Sequence, residues 1–185
     1  MTFAAILAFA LLAPPGPAAT RKVETREARD KARDCEVLDE PAAAAAACRS
    51  ALAVGLSPAR ARSVRQLLAR RLAVLLAWGE LAQLYAEDLK ADPEDAATRN
   101  RLGALLLFAL QRTDEALPHL EEAVRLRPEV VAYRIDLGLA LAAAGRTAEA
   151  LGALDEAVRL DENALALRPA AAATRDALRA GKAWP

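Results

Sequence analysis

The chain has 185 residues, 55% of them hydrophobic and only 4% aromatic. Alanine, leucine and arginine carry it, residues that favour helices, while the β-branched and aromatic strand formers of a β or α/β domain are scarce. Its 25 basic and 25 acidic residues cancel, which argues against the basic surplus of a nucleic-acid binder and against an acidic solvating tail.

Phe3 to Leu12 is an apolar run without a charge, broken by Pro14, Pro15, Gly16 and Pro17 and followed by the small residues Ala18 and Ala19. A bilayer span needs about 20 apolar residues, so the run is too short to be one. Its length and ending fit a signal peptide over residues 1–19, although no Lys or Arg precedes it. The expected destination is export, periplasmic or secreted, with no membrane span in the mature chain. A frayed apolar terminus and a retained single anchor are the other readings of these residues. No cysteine follows the run to serve as a lipid anchor.

Residues 20–55 read as a helix pair broken at Glu40-Pro41, since proline suits a first helical turn. Cys35 lies a little over one turn before the break and Cys48 about two turns after it, which in an antiparallel pair are similar heights. Export would permit a Cys35–Cys48 disulfide, worth roughly 3 kcal/mol for so short a loop. Two buried free thiols acting as small apolar residues are the alternative. Metal binding is disfavoured, because neither cysteine has a histidine nearby.

The next segments repeat. Thr113 to Leu126 (TDEALPHLEEAVRL) aligns with Thr147 to Leu160 (TAEALGALDEAVRL) at an offset of 34, and Leu102-Gly103 with Leu137-Gly138 at 35. One extra residue therefore lies within Leu105 to Gln111. A weaker copy precedes them: Asp92-Pro93 echoes Arg127-Pro128, and Leu81 and Tyr85 fall where Ala116 and Leu120 fall one repeat later. Leu117, Leu120 and Val124, like Leu151, Leu154 and Val158, make apolar stripes on helix faces. Gly103 and Gly138 sit inside leucine-rich helices, where glycine costs about 1 kcal/mol against alanine, so a packing reason is expected. Ser57-Pro58 and Asp92-Pro93 are expected helix starts, Thr113 and Thr147 expected N-caps, and Gly145 a helix stop. Pro118 conflicts with its helix and is expected to delay or kink it.

These residues resemble the tetratricopeptide repeat family, a 34-residue helix–turn–helix unit with small residues at its crossings and a proline near its boundary. Gly103 and Gly138 match the small residue of the first helix, and Ala116 and Ala150 that of the second. Leu120 and Leu154 take the usual aromatic place, with Ala123 and Ala157 one turn on, and Pro93 and Pro128 closing units. The resemblance implies an all-α, right-handed α-solenoid of stacked repeats over 58–92 (degenerate, with Leu81 and Asp88 at small-residue places), 93–127 and 128–161. Residues 162–185 would form a C-terminal capping helix, over 169–181, and tail, with Trp184 packed back or frayed. It also implies that ligand-facing positions lie on the first helix of each unit: Ser63, Gln66, Arg70 and Ala73; Asn100, Ala104 and Leu107; Ile135, Leu139 and Ala142. An asparagine amide can clamp a peptide backbone, so Asn100 is either a groove contact or a residue that caps or solvates its helix. The carboxylate-gripping variant of the family is in doubt, because no lysine matches. Ile135 and Leu139 are either core beneath the terminal helix, the favoured reading, or an apolar patch for an amphipathic partner segment.

Reactive constellations are not evident. His119, the single histidine, reads as a solvated surface residue, and no second histidine accompanies it for a metal site. The eight glycines are scattered rather than gathered in a phosphate loop, and Glu121-Glu122 and Asp155-Glu156 read as solvated helix surface. No catalytic residue, metal or cofactor is expected. The leading expectation is a scaffold that grips a peptide or helix of a protein partner, without nucleic acid. A self-assembling envelope subunit is the alternative, and an enzyme comes a distant third.

Overall fold

A computed structural model describes residues 25–166 and 168–182. The expected signal peptide and Trp184 lie outside the described residues. Within them are nine α-helices and no strand: α1 (Arg26–Val37), α2 (Pro41–Ala53), α3 (Pro58–Val74), α4 (Trp78–Ala91), α5 (Ala96–Phe108), α6 (Thr113–Leu126), α7 (Val131–Ala143), α8 (Thr147–Leu160) and α9 (Pro169–Arg179).

Short polar residues start several of these helices. Thr25 accepts the Ala28 amide at 3.1 Å, and the Glu40 carboxylate accepts the Ala42 and Ala43 amides ahead of Pro41. Asp95 accepts the Ala97 and Thr98 amides at 3.0 and 3.1 Å. Asp92 is therefore not the N-cap expected of it: it ends α4, and α5 starts three residues later behind Asp95. Ser57 precedes Pro58 at the start of α3 but makes no side-chain capping bond. Thr113 and Thr147 are first helical residues rather than caps; Arg112 and Arg146 hold the cap places, each paired with the glutamate three residues on. Pro118 neither delays nor ends α6, which runs unbroken from Thr113 to Leu126 around it.

The starts of α5 and α7 are 35 residues apart and those of α6 and α8 are 34. The extra residue thus belongs to the turn 109–112, against 144–146 one unit later, so Leu107 keeps register with Ala142. Both turns pass through the left-handed region, which Gly145 enters at φ 75° without strain, while Gln111 enters at φ 54°. Leu76 does the same at φ 54° between α3 and α4.

Small residues set the helix crossings. A Cβ on Gly103 would lie 2.6 Å from Leu120 Cγ and 3.2 Å from the Ala116 carbonyl oxygen; on Gly138 it would meet Leu154 Cγ at 2.7 Å and the Ala150 oxygen at 3.4 Å. The α5–α6 and α7–α8 pairs therefore close tightly. In α3–α4 the same places hold Leu68, Leu81 and Tyr85, and that pair packs more loosely. The core follows the same division. Leu102, Leu106, Leu120, Ile135, Leu139 and Leu154 join Leu165, Ala171 and Leu178 of the C-terminal segment in one cluster. A second cluster joins α1 to α4 and takes in Leu105 of α5. In it Cys35 and Cys48, both fully buried, form a disulfide with a Cα–Cα distance of 4.7 Å.

Candidate functional site

Along the first helices, α1 packs on α3, α5 on α7 and α7 on α9, but no Cα of α3 comes within 8 Å of one in α5. The stack opens there into a cleft of about 720 Å³. One wall is α3, with Arg62, Arg65, Gln66, Ala69, Arg70 and Ala73. The other runs from Tyr85 and Asp88 of α4 through Asp92 and Asp95 to Thr98 and Arg101 of α5.

The cleft gathers Gln66, Arg70 and Ala73 of the groove residues named from the sequence, and none of the others. Ser63 is exposed on α3 and bonds the Ala59 carbonyl in its own helix. Ala104 is half-buried, and Leu107 and Ala142 are buried. Ile135 and Leu139, 2% and 5% exposed, lie in the same core cluster as Leu165, Ala171 and Leu178, so they offer no apolar patch to a partner. Asn100 is 9% exposed and donates through Nδ2 to Asp136 Oδ2 at 2.8 Å. In place of an open backbone clamp, Asn100 makes an inter-repeat hydrogen bond through Nδ2 where α5 and α7 pack closely, while its Oδ1 is buried in the seam without a hydrogen-bond partner.

Asp136 also accepts from Arg168 Nη1 at 3.3 Å, so one carboxylate joins α5, α7 and the start of α9. Burial pushes its carboxyl above the ordinary aspartate range, against the opposing pull of Asn100 and Arg168. His119 is half-buried rather than solvated. Burial, aided by Arg99, holds its imidazole below the usual histidine value, and Glu115 opposes this. The acidic pairs of the second helices are engaged with arginines: Glu121 with Arg146, Glu122 with Arg125, Asp155 with Arg179 and Glu156 with Arg159.

Within the cleft, Arg65 pairs with Asp88 at 3.0 Å and Glu87 at 3.5 Å. Burial nonetheless raises the Asp88 carboxyl, with Glu87 and Asp95 adding to it. Tyr85 forms the half-buried aromatic floor, its hydroxyl pushed up by burial and by Asp88 while Arg101 pulls it down. Burial alone would raise Asp95 as well, but the Thr98 hydroxyl at 2.6 Å, the amides of Thr98 and Ala97, and Arg101 outweigh it and hold the carboxylate low. Arg62, Arg65, Tyr85 and Arg101 were not among the groove residues named from the sequence. Their signal was the 35-residue offset, which places Gln66, Arg101 and Asp136 at one repeat position and Arg65, Asn100 and Ile135 at another.

Among the described residues no three His, Cys, Asp or Glu side chains converge as metal ligands, and no helix is long and apolar enough to cross a membrane.

The family model of the tetratricopeptide repeat matches residues 101–164. No curated protein sequence matches the chain. Among solved structures, the MamA RS-1 ArsTM double mutant superposes with a TM-score of 0.64 at 20% identity, covering 85% of this chain and 96% of that one. YrrB, described as a tetratricopeptide-repeat protein with an unusual peptide-binding site, gives 0.64 at 23% identity over 81% of this chain and 73% of its own. The TPR2B domain of yeast Sti1 in complex with pHsp70 gives 0.56 at 22% identity over 64% and 95%. The chain is thus an all-α helical repeat solenoid with the tetratricopeptide-repeat fold, and its residues 101–164 carry that family's sequence pattern.

Proposed function

We propose that the chain is a protein-interaction scaffold that holds a peptide or helical segment of a partner in the α3–α5 cleft. The single observation that carries this reading is that no Cα of α3 lies within 8 Å of one in α5, whereas the other successive first helices come that close. The opening has the concavity of a binding site and combines an aromatic floor with polar walls. Two solved structures of the same fold support it in kind, since one is described by its peptide-binding site and the other is a complex with pHsp70. Asn100, Leu107, Ile135 and Leu139 take no part, being committed to packing.

Export remains part of the proposal. The apolar segment Phe3–Leu12 and the Cys35–Cys48 bridge support it, because disulfides persist in oxidising compartments. Fractionation of cells expressing the full chain, with mass analysis of its N-terminus, tests it: an intact cytosolic chain would end the export reading.

The cleft is tested by capture from an envelope extract. Wild type should retain a partner that Ala69→Trp, which fills the cleft, and a Gln66→Ala, Arg70→Ala double variant lose. Equal capture by all three would reject the cleft. Self-association is a second reading, favoured by the exposed Val74, Leu76 and Phe108 at the ends of two helix hairpins. A mass independent of concentration in sedimentation would count against it.

A further inference from the structure

The two seams on either side of α5 use the same repeat positions for opposite purposes. At the α5–α7 seam, Asn100 donates to Asp136 and the helices meet. One repeat earlier those places hold Arg65 on α3 and Arg101 on α5, and the helices stand apart. A hydrogen-bonded pair has become two cations that cannot bond each other, since guanidinium groups only donate.

The wider crossing of α3 on α4, where Leu68, Leu81 and Tyr85 replace glycine, alanine and leucine, favours the same opening. Around it the charges divide unequally. Each carboxylate of the cleft is already engaged: Asp88 by Arg65, Asp95 by the amides and hydroxyl at the start of α5, and Asp92 by the Glu94 amide at 3.3 Å. Arg62 and Arg70, on one face of α3 with Gln66 between them, and Arg101 on the opposite wall, whose charge also acts on Asp95 and Tyr85, have no carboxylate oxygen of the described residues within 4.0 Å.

We propose that the α3–α5 cleft takes an acidic peptide segment, whose carboxylates bridge Arg62 and Arg70 on one wall and Arg101 on the other. The inference rests on the cleft being the partner site and adds the chemistry of the occupant. Planar guanidinium groups accept carboxylates in bidentate fashion. A bound anion supplies between the two walls the acceptor that Asp136 supplies to Asn100 in the next seam.

The test is fluorescence anisotropy of labelled hexaglutamate, hexalysine and a neutral Gly-Ser hexapeptide with the wild-type chain and four variants. Hexaglutamate should bind saturably, more weakly as salt rises, and at least about tenfold tighter than the neutral peptide. Arg101→Glu and Arg70→Glu should each weaken it about tenfold or more, the cost of one charge-assisted bond. Arg125→Glu, on α6 and away from the cleft, should leave it nearly unchanged. All three arginines are exposed, so the variants are expected to fold, which circular dichroism checks. No preference for hexaglutamate, or equal losses in all three charge variants, would overturn the acidic assignment. If the neutral peptide binds equally and Ala69→Trp abolishes that binding, the acidic assignment falls while the cleft stands. Binding of every peptide that survives Ala69→Trp would remove both.

Discussion

Leu120 covers Gly103 so closely that a methyl group on the glycine would press 2.6 Å from its Cγ. The leucine is fully buried and cannot swing into solvent. Alanine gains about 1 kcal/mol of helix propensity over glycine, whereas overpacking a tight site typically costs about 1–3 kcal/mol. Gly103→Ala should therefore destabilise the chain on balance, and Gly138→Ala should do so beneath Leu154 for the same reason. Urea unfolding measures it. If the steric account is right, Leu120→Ala relieves the alanine at 103, and the double variant is more stable than the sum of the single losses. Strict additivity would exclude the contact as the cause.

The Asn100–Asp136 bond predicts unequal effects for two substitutions. Asn100→Ala leaves Asp136 buried with one fewer donor and should cost about 1–3 kcal/mol at neutral pH. Asp136→Asn keeps a hydrogen-bonding amide while removing a buried charge, and should change neutral stability by about 1 kcal/mol or less. The pH response separates them further. Asp136 holds its proton to higher pH in the folded chain than in the unfolded one. As pH falls through that raised value, the folded state binds a proton that the unfolded state does not, and the wild type gains stability. The Asp136→Asn variant lacks this gain, so its standing relative to wild type should be better at neutral pH than near pH 4. Unfolding curves at both values decide, and a difference that does not change with pH would refute the burial of the charge.

How much of this was legible beforehand depended on what each residue's neighbours do. The repeat was, because Gly103 and Gly138 are read from composition and offset, and a glycine in a leucine-rich helix has few reasons to be there except close approach. The identity of the open seam was not. It hangs on whether residues 36 apart can bond as Asn100 and Asp136 do or are two cations like Arg65 and Arg101, and that is a property of pairs across helices. Asn100 looked like a groove residue because the family geometry puts that helix face on the concave side. Burial against α7 decided otherwise. The helix start at Asp95 was missed for a local reason: Asp92-Pro93 carries the same cap-then-proline pattern, but the chain turns once more before α5.

The disulfide should matter most where the apolar core is thinnest. Between α1 and α2 the buried apolar residues are alanines, Ala28, Ala32, Ala44, Ala45 and Ala51, together with the bridged cysteines themselves. Helices of 12 and 13 residues are marginal without such support. Replacing both cysteines by alanine should cost about 3 kcal/mol locally, as expected for a bridge closing a short loop. Among the described helices α1 comes close only to α2 and α3, and stability in a stack passes between neighbours. Hydrogen exchange should accelerate in α1 and α2 and stay nearly unchanged in α7 and α8. Uniform acceleration along the chain would show that the bridge supports the whole stack instead.

The open seam can itself be closed by one substitution. Arg101→Asp places a carboxylate where Asp136 stands in the next repeat, facing an α3 wall that carries Arg65 and Arg70. The like-charge pair becomes an attractive one. An ion pair at such a site is worth about 1 kcal/mol or less, so the unfolding midpoint should rise slightly. The sharper readouts are exchange and binding. Amides of α3 should exchange more slowly as α5 draws in, and the cleft should lose its affinity for hexaglutamate while the α5–α8 core exchanges as before. If α3 exchanges no more slowly and the midpoint does not move, the separation of α3 and α5 is set by the bulk of Leu68, Leu81 and Tyr85 alone. Leu81→Ala would then be the change that narrows the seam.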